Sequence, residues 1–289
     1  MPELPEVETI ARGLASRVTG DTIESVWLGN KKEPLKSPAA EIVAALEHHR
    51  IAAVRRMGKH IVIDLEPSNV ARALLPAKAR KRKKSPEMSE VAATQWIVHL
   101  GMTGRLQVCD PDAEIAKHTH AIAKLKSGRE LRFVDPRRFG RLSVATQFDA
   151  TGTEPLEIDL ESFLALFRGR KTPMKSALLN QKLLRGVGNI YADESLFRAG
   201  IRPRRRASST TRDQLQELHA ALKDVLKEAI ALGGSSISDY VDADGEEGFF
   251  QLQHRVYGRE AEPCLVCKTP IKRIVIAGRS SHYCPKCQK

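Results

Sequence analysis

The amino-acid sequence predicts an α+β protein of several parts: an N-terminal antiparallel β-sandwich with flanking helices, a helix–two-turn–helix segment, and a C-terminal four-cysteine hairpin. Three observations predict it. Between Ile23 and Ala145, β-prone runs such as IESVWL, HIVIDL, QWIVHL and ELRFV are separated by Gly, Pro and Asp. Beyond Asp159 the apolar residues recur at helical spacing. Four of the five cysteines fall within residues 251–289. A chain of 289 residues with 42% apolar side chains can bury more than one core, so the expected division is 1–150, 151–250 and 251–289.

Taken in order, a helix is expected to open at Pro5. Proline suits a first helical turn, Glu6 and Glu8 favour the positive helix end, and Val7, Ile10, Ala11, Leu14 and Val18 share a face. Gly20 stops it. The strand-like runs then continue from Ile23 to Ala145, interrupted at about 67–94 by a Pro- and Ala-rich insertion holding the basic run Lys78 to Lys84. That insertion reads as a solvated loop, with a DNA-contacting or localising role as the alternative. Ser176 to Leu184 and Asn189 to Ala199 form a helix pair around the turn Arg185-Gly186-Val187-Gly188. Thr210 or Thr211 caps a longer helix with Leu215, Leu218, Leu222, Val225, Leu226 and Ala229 on one face, ended by Gly233-Gly234.

Cys264 and Cys267 form one C-x2-C pair and Cys284 and Cys287 a second, with 16 residues between. Ile271 to Ile276, the Ala277-Gly278 turn and Ser280 to Tyr283 read as a hairpin that brings the pairs together. Four thiolates so spaced close a tetrahedron around one Zn²⁺ and leave no open position, which makes the metal structural. Disulfides conflict with the acidic residues that stand where a signal peptide would be basic and then apolar. Cys109 reads as an ordinary strand-end residue. No run approaches the ~18 apolar residues of a membrane span, so a soluble cytoplasmic protein is expected.

The 47 Lys and Arg exceed the 35 Asp and Glu, a net charge of +12. The excess is localised: residues 1–165 carry +3, 166–206 carry +9, 207–250 carry −6 and 251–289 carry +6. Two basic segments flanking an acidic one suggest a groove for a polyanion. Aromatic residues are 5% of the chain, too few for a single-strand stacking platform, which favours backbone contacts on a duplex. Gly186 and Gly188 let backbone N–H groups approach a phosphate at a helix start, Asn189 is placed to cap that helix, and Lys272, Arg273 and Arg279 lie on the hairpin. Pro2, once Met1 is removed, presents a secondary amine near pKa ~8 beside Glu3 and Glu6. These residues fit either an amine nucleophile with a carboxyl partner or a stiffened helix entry.

The segments PELPEVETI, RRMGKH, HLGMTGRL, DPRRFGRL, LLNQKLLRGVGNIYADESLFRAGI and HYCPKCQK, in that order, closely resemble bacterial formamidopyrimidine-DNA glycosylases almost end to end. The resemblance implies a bifunctional glycosylase and AP lyase. Such an enzyme excises 8-oxoguanine and formamidopyrimidines from duplex DNA through a Schiff base, followed by β- and δ-elimination. It implies Pro2 as nucleophile, Glu3 as acid/base carboxylate and Lys59, in a hairpin turn, as the second catalytic group. His99, Arg138, Asn189 and Arg279 would contact phosphates. Met102, Arg137 and Phe139 would fill the gap left by the extruded nucleotide, with Arg137 reading the orphaned cytosine. The implied partner is damaged double-stranded DNA, bound by a monomer associated with the bacterial nucleoid.

An endonuclease VIII-like enzyme for oxidised pyrimidines is the first alternative, disfavoured by HLGMTG and DPRRFG. A noncatalytic zinc-dependent nucleic-acid-binding protein is the second, and would bind DNA without a covalent intermediate. The chain departs from the family pattern in its insertion, in Asn180, and in Ser238 and Glu247 of the segment resembling the loop over the lesion.

Overall fold

Helix α1 (Leu4–Val18) starts within a residue of the expected position and buries the expected face, Val7, Ile10, Ala11, Leu14 and Val18. The computed structural model describes residues 1–68, 94–236, 243 and 245–289. The run Lys78 to Lys84 and Ser238 lie outside the described residues. Two compact units emerge: Met1–Pro2, Val7–Asp149 and Asp239–Glu247 make the first, and Glu3–Glu6, Ala150–Ser238 and Gly248–Lys289 the second.

The first unit is the expected sandwich. One sheet runs β2 (His49–Met57), β3 (His60–Pro67), β4 (Thr94–His99) and β8 (Arg141–Ala145). The other runs β1 (Ile23–Leu28), β6 (Thr119–Leu125), β7 (Glu130–Val134) and β5 (Arg105–Cys109). Every pairing between neighbours is antiparallel. The two inner faces and α1 share one core that includes Ile23, Ile63, Trp96, Leu106, Phe133 and Leu142. Strands β3 and β4 pair in register from Leu65↔Thr94 to His60↔His99.

Helix α2 (Ala39–Leu46) is a short helix that the predominantly β reading of 23–145 did not locate. Pro38 precedes it, its alanines favour it, and Ile42 and Leu46, one turn apart, seal it onto the core.

The second unit carries α3 (Leu160–Phe167), α4 (Met174–Leu178), α5 (Asn189–Arg198) and α6 (Arg212–Ala231). Asp159 caps α3 by accepting the Ser162 N–H at 2.9 Å. Thr211 and Gln214 form a reciprocal capping box on α6. The helix expected over 176–184 is shorter and earlier. At Asn180 the side-chain Oδ1 takes the Lys182 N–H at 3.0 Å, and the chain passes into turns. Phe163, Phe167, Met174, Tyr191, Leu218 and Phe250 lie in this unit's core. Strands β9 (Lys272–Ile276) and β10 (Arg279–Tyr283) form the hairpin, packed with the helices in the same unit. Among the described residues, no helix is long and apolar enough to cross a membrane.

Candidate functional site

In the second unit the site is built around Glu3, which is 5% exposed and follows the buried Pro2. Its Oε1 accepts the Ile190 N–H at 3.3 Å, which seats the carboxylate at the positive end of α5. The Leu4 N–H donates to the Gly186 carbonyl at 3.0 Å and ties the segment to the same turn. A Cβ at position 188 would lie 2.0 Å from Glu3 Cδ. Gly188 has an ordinary φ of −130°, so glycine is needed there for space rather than for conformation. The helix end expected to greet a phosphate therefore holds a carboxylate of the chain itself. Asn189 does not cap it: the cap is Gly188, and Asn189 Nδ2 donates to Ser280 Oγ at 3.3 Å, beside Arg279 on β10.

Glu6 is more than a helix-dipole acid. It accepts the Glu3 N–H at 2.7 Å, the Ser235 N–H at 2.9 Å and the Tyr191 hydroxyl. Burial pushes its carboxyl above the ordinary range, opposed by these donors. Gly234, at φ 85°, fits against Glu6 where a Cβ would come within 2.9 Å of its Cγ. Glu6 thus joins Glu3, α5 and the root of the segment after Gly234. The signal for this was present, because position 6 stands four residues before Ile10 on the apolar stripe of α1.

Other residues escaped the sequence reading. Lys175 is fully buried, its Nζ 2.7 Å from Asp193 Oδ1 and 2.6 Å from the Ser280 carbonyl. Asp193 Oδ2 accepts the His282 N–H at 2.8 Å, so one ion pair grips β10 on both sides of Ser281. Burial lowers the Lys175 pKa and Asp193 opposes the shift. Glu194 collects the N–H groups of Arg255, Val256 and Tyr257 between 2.8 and 3.1 Å.

In the first unit, Lys59 occupies the tight β2–β3 turn after Gly58, whose φ is 61°. His60, His99 and Arg141 follow in register across β3, β4 and β8, and the two imidazole centroids are 4.9 Å apart. Gly101 donates its N–H to His99 Nδ1 at 3.0 Å, which leaves the ring proton on Nε2. Burial, with His60, Arg141 and Lys59 adding to it, lowers the His99 pKa to about 4. His99 is therefore a neutral donor at physiological pH.

Met102 is 41% and Phe139 54% exposed, on the turns that follow β4 and β7. The Arg137 guanidinium lies 5.0 Å from the centre of the Phe139 ring. Arg138 has φ 59° and its Nη1 lies 3.2 Å from Glu33 Oε1. A cavity of about 510 Å³ opens here between Glu33, Lys36 and residues 137–141.

The Sγ atoms of Cys264, Cys267, Cys284 and Cys287 lie within 4.8 Å of one another and none is in a disulfide. Sulfur atoms ~2.3 Å from a common centre have separations of this order, so four thiolates suit one tetrahedral zinc ion. That ion is structural. Cys109 ends β5, as expected.

Three family models match the chain: the formamidopyrimidine-DNA glycosylase N-terminal domain over residues 1–142, the H2TH domain of the same enzymes over 151–241, and a zinc finger found in FPG and IleRS over 261–289. A formamidopyrimidine-DNA glycosylase of Solibacter usitatus is 44% identical over 293 residues, covering 100% of both chains. The crystal structure of the MutM (Fpg) protein of Thermus thermophilus aligns with a TM-score of 0.81 at 39% identity, over 99% of this chain and 98% of that one. A Lactococcus lactis Fpg mutant in complex with a Fapy-dG containing DNA aligns with a TM-score of 0.84 at 29% identity, over 100% of each.

Proposed function

Because the chain belongs to the formamidopyrimidine-DNA glycosylase family, enzymes that excise oxidised purines from DNA and act as AP lyases, we propose that its reaction runs through Pro2, Glu3 and Lys59. Removal of Met1 exposes the Pro2 secondary amine. The amine attacks C1′ of the flipped nucleotide, the glycosidic bond breaks, and the base leaves with the bonding pair and takes up a proton. The sugar ring opens at O4′, which is protonated, and leaves an iminium between Pro2 and C1′. A secondary amine cannot shed this positive charge, so the C2′ hydrogen becomes acidic. Its loss expels the 3′ phosphate, and a second elimination expels the 5′ phosphate. Glu3 shuttles the protons and Lys59 stabilises developing charge at the sugar or base.

The observation that carries this reading is the seat of Glu3: a carboxyl group one residue from Pro2, buried, bonded to the first turn of α5 and fitted against Gly188. A group that merely eased a helix start would not need such a built socket. His99, Arg138, Asn189 and Arg279 hold phosphates on either side of the lesion, and Met102, Arg137 and Phe139 fill the vacated stack. Residues 1–150 supply the chemistry and part of the grip on DNA, to which 151–250 and 251–289 add Asn189 and Arg279. The substrate is damaged duplex, 8-oxoguanine included, met one chain per site in the bacterial cytoplasm.

Borohydride trapping on an 8-oxoguanine duplex, paired with mass determination of the mature N terminus, tests this. Wild type is expected to start at Pro2 and cross-link, and Pro2→Gly to lose most of both cross-linking and excision. A chain that keeps Met1 and still excises at full rate would end the proposal.

A further inference from the structure

Asp135 lies beneath four consecutive exposed residues, Pro136 to Phe139, and is itself fully buried. Three uncharged donors meet its carboxylate. Thr103 Oγ1 donates to Oδ1 at 2.6 Å, the Arg137 N–H to the same oxygen at 3.3 Å and the Gly140 N–H to Oδ2 at 2.7 Å. The Arg137 N–H also branches to Thr103 Oγ1 at 3.4 Å. The Asp135 carbonyl accepts the Arg138 N–H at 3.3 Å and His120 Nε2 at 3.0 Å. The whole exposed turn is thus hung from one acidic residue.

Thr103 belongs to the neighbouring turn that carries Met102, closed by the Gly104 N–H on the Leu100 carbonyl at 2.8 Å. The two turns touch along their backbones. A Cβ at Gly101, whose φ is 66°, would lie 2.5 Å from both Gly140 N and Phe139 C. Between them runs the Thr103–Asp135 bond. Burying a carboxylate is unfavourable unless its lone pairs are met, and here they are met by groups that bracket Arg137 and Phe139 on one turn and flank Met102 on the other. Five residues can turn a chain without a buried charge. What the charge adds is a fixed relation between the two turns.

We infer that Asp135 and Thr103 are positioning residues that lock the two turns into one probe, so that discrimination of the base opposite the lesion depends on their hydrogen bond. This rests on the proposed gap-filling and base-reading roles of Met102, Arg137 and Phe139. The guanidinium of Arg137 and the ring of Phe139, 5.0 Å apart, both stand on the turn that the carboxylate ties down through the Arg137 and Gly140 N–H groups.

The experiment compares wild type with Thr103→Val, Thr103→Ser, Asp135→Asn and Arg137→Ala. Three quantities are measured: the excision-rate ratio for 8-oxoguanine opposite C over opposite A, borohydride trapping on a single-stranded abasic oligonucleotide, and amide hydrogen exchange at Arg137 and Gly140 without DNA. Thr103→Val is expected to lower the ratio about fivefold, in the range of one lost base-reading contact. It should leave single-strand trapping intact, since that substrate has no opposing base, and Thr103→Ser should restore the ratio. Exchange of both amides should quicken about tenfold in Thr103→Val and Asp135→Asn. Unchanged exchange in folded Thr103→Val overturns the inference. So does an unchanged ratio in that variant while Arg137→Ala loses discrimination. If Arg137→Ala itself keeps the wild-type ratio, the base-reading role fails instead, and the exchange rates decide the clamp. Thr103→Val carries the test should Asp135→Asn not fold.

Discussion

Because Gly101 already holds His99 Nδ1 as an acceptor, His99 can offer a phosphate only the N–H at Nε2, without a charge. Replacing it with Gln should weaken DNA binding yet leave the slope of log affinity against log salt unchanged, whereas Arg279→Ala should flatten that slope by about 0.9. The same burial sets a pH response. The pKa values of His99 and His254 both fall from 6.5 to about 4 in the folded chain. The unfolded chain therefore binds more protons between pH 4 and 6.5. The stability that rests on neutral His99 and His254 is complete above pH 6.5 and drains as the pH falls toward 4. Urea midpoints at pH 7 and pH 5 should show the drop, and His254→Asn should reduce it. At this scale the candidate chemistry was legible where it lay in short motifs. Asp135 and Lys175 were not, since the side chain and carbonyl that fix their roles, Thr103 for the first and Asp193 and Ser280 for the second, come from separate elements of the fold.

Elements were readable where one periodicity dominated, as in α1 and α6, and misread where tertiary contacts overrode it. Helix α2 is a single short amphipathic segment inside a long β region, and α4 ends where a side chain captures a backbone donor. The joint between α4, α5 and β10 depends on the buried Lys175–Asp193 pair. Lys175→Met should destabilise the protein by about 3–5 kcal/mol, because it strands the Asp193 carboxylate in the interior. A Lys175→Met, Asp193→Leu double variant should recover much of that loss. Equilibrium urea unfolding distinguishes the two; equal losses in both would show that packing rather than charge pairing holds the joint.

For the molecule as a whole, the charge map pointed to a nucleic-acid partner and the cysteine spacing to zinc, and both belong to the family the chain joins. How its surfaces are tuned was not readable, since Glu33 meets Arg138 only once the chain is folded. Cys284→Ser should loosen the hairpin that carries Arg279 and weaken DNA binding before it slows trapping at saturating DNA. Zinc release on a chromogenic chelator and a binding isotherm would check it. Replacing residues 69–93 with a short Gly-Ser turn should preserve the sheet, because β3 and β4 pair directly on either side. A shallower salt slope in that variant would assign the lysine-rich insertion to DNA, and an unchanged slope to solvent.

The socket at Gly188 reaches beyond the single molecule. Any codon change there that adds even a methyl group drives it into the carboxyl of Glu3. With Glu3 as the proposed proton shuttle, a cell carrying Gly188→Ala is expected to hold a protein that binds damaged DNA but excises 8-oxoguanine slowly, so that the lesion persists in its genome. The room of one methyl group would thereby separate finding a lesion from removing it.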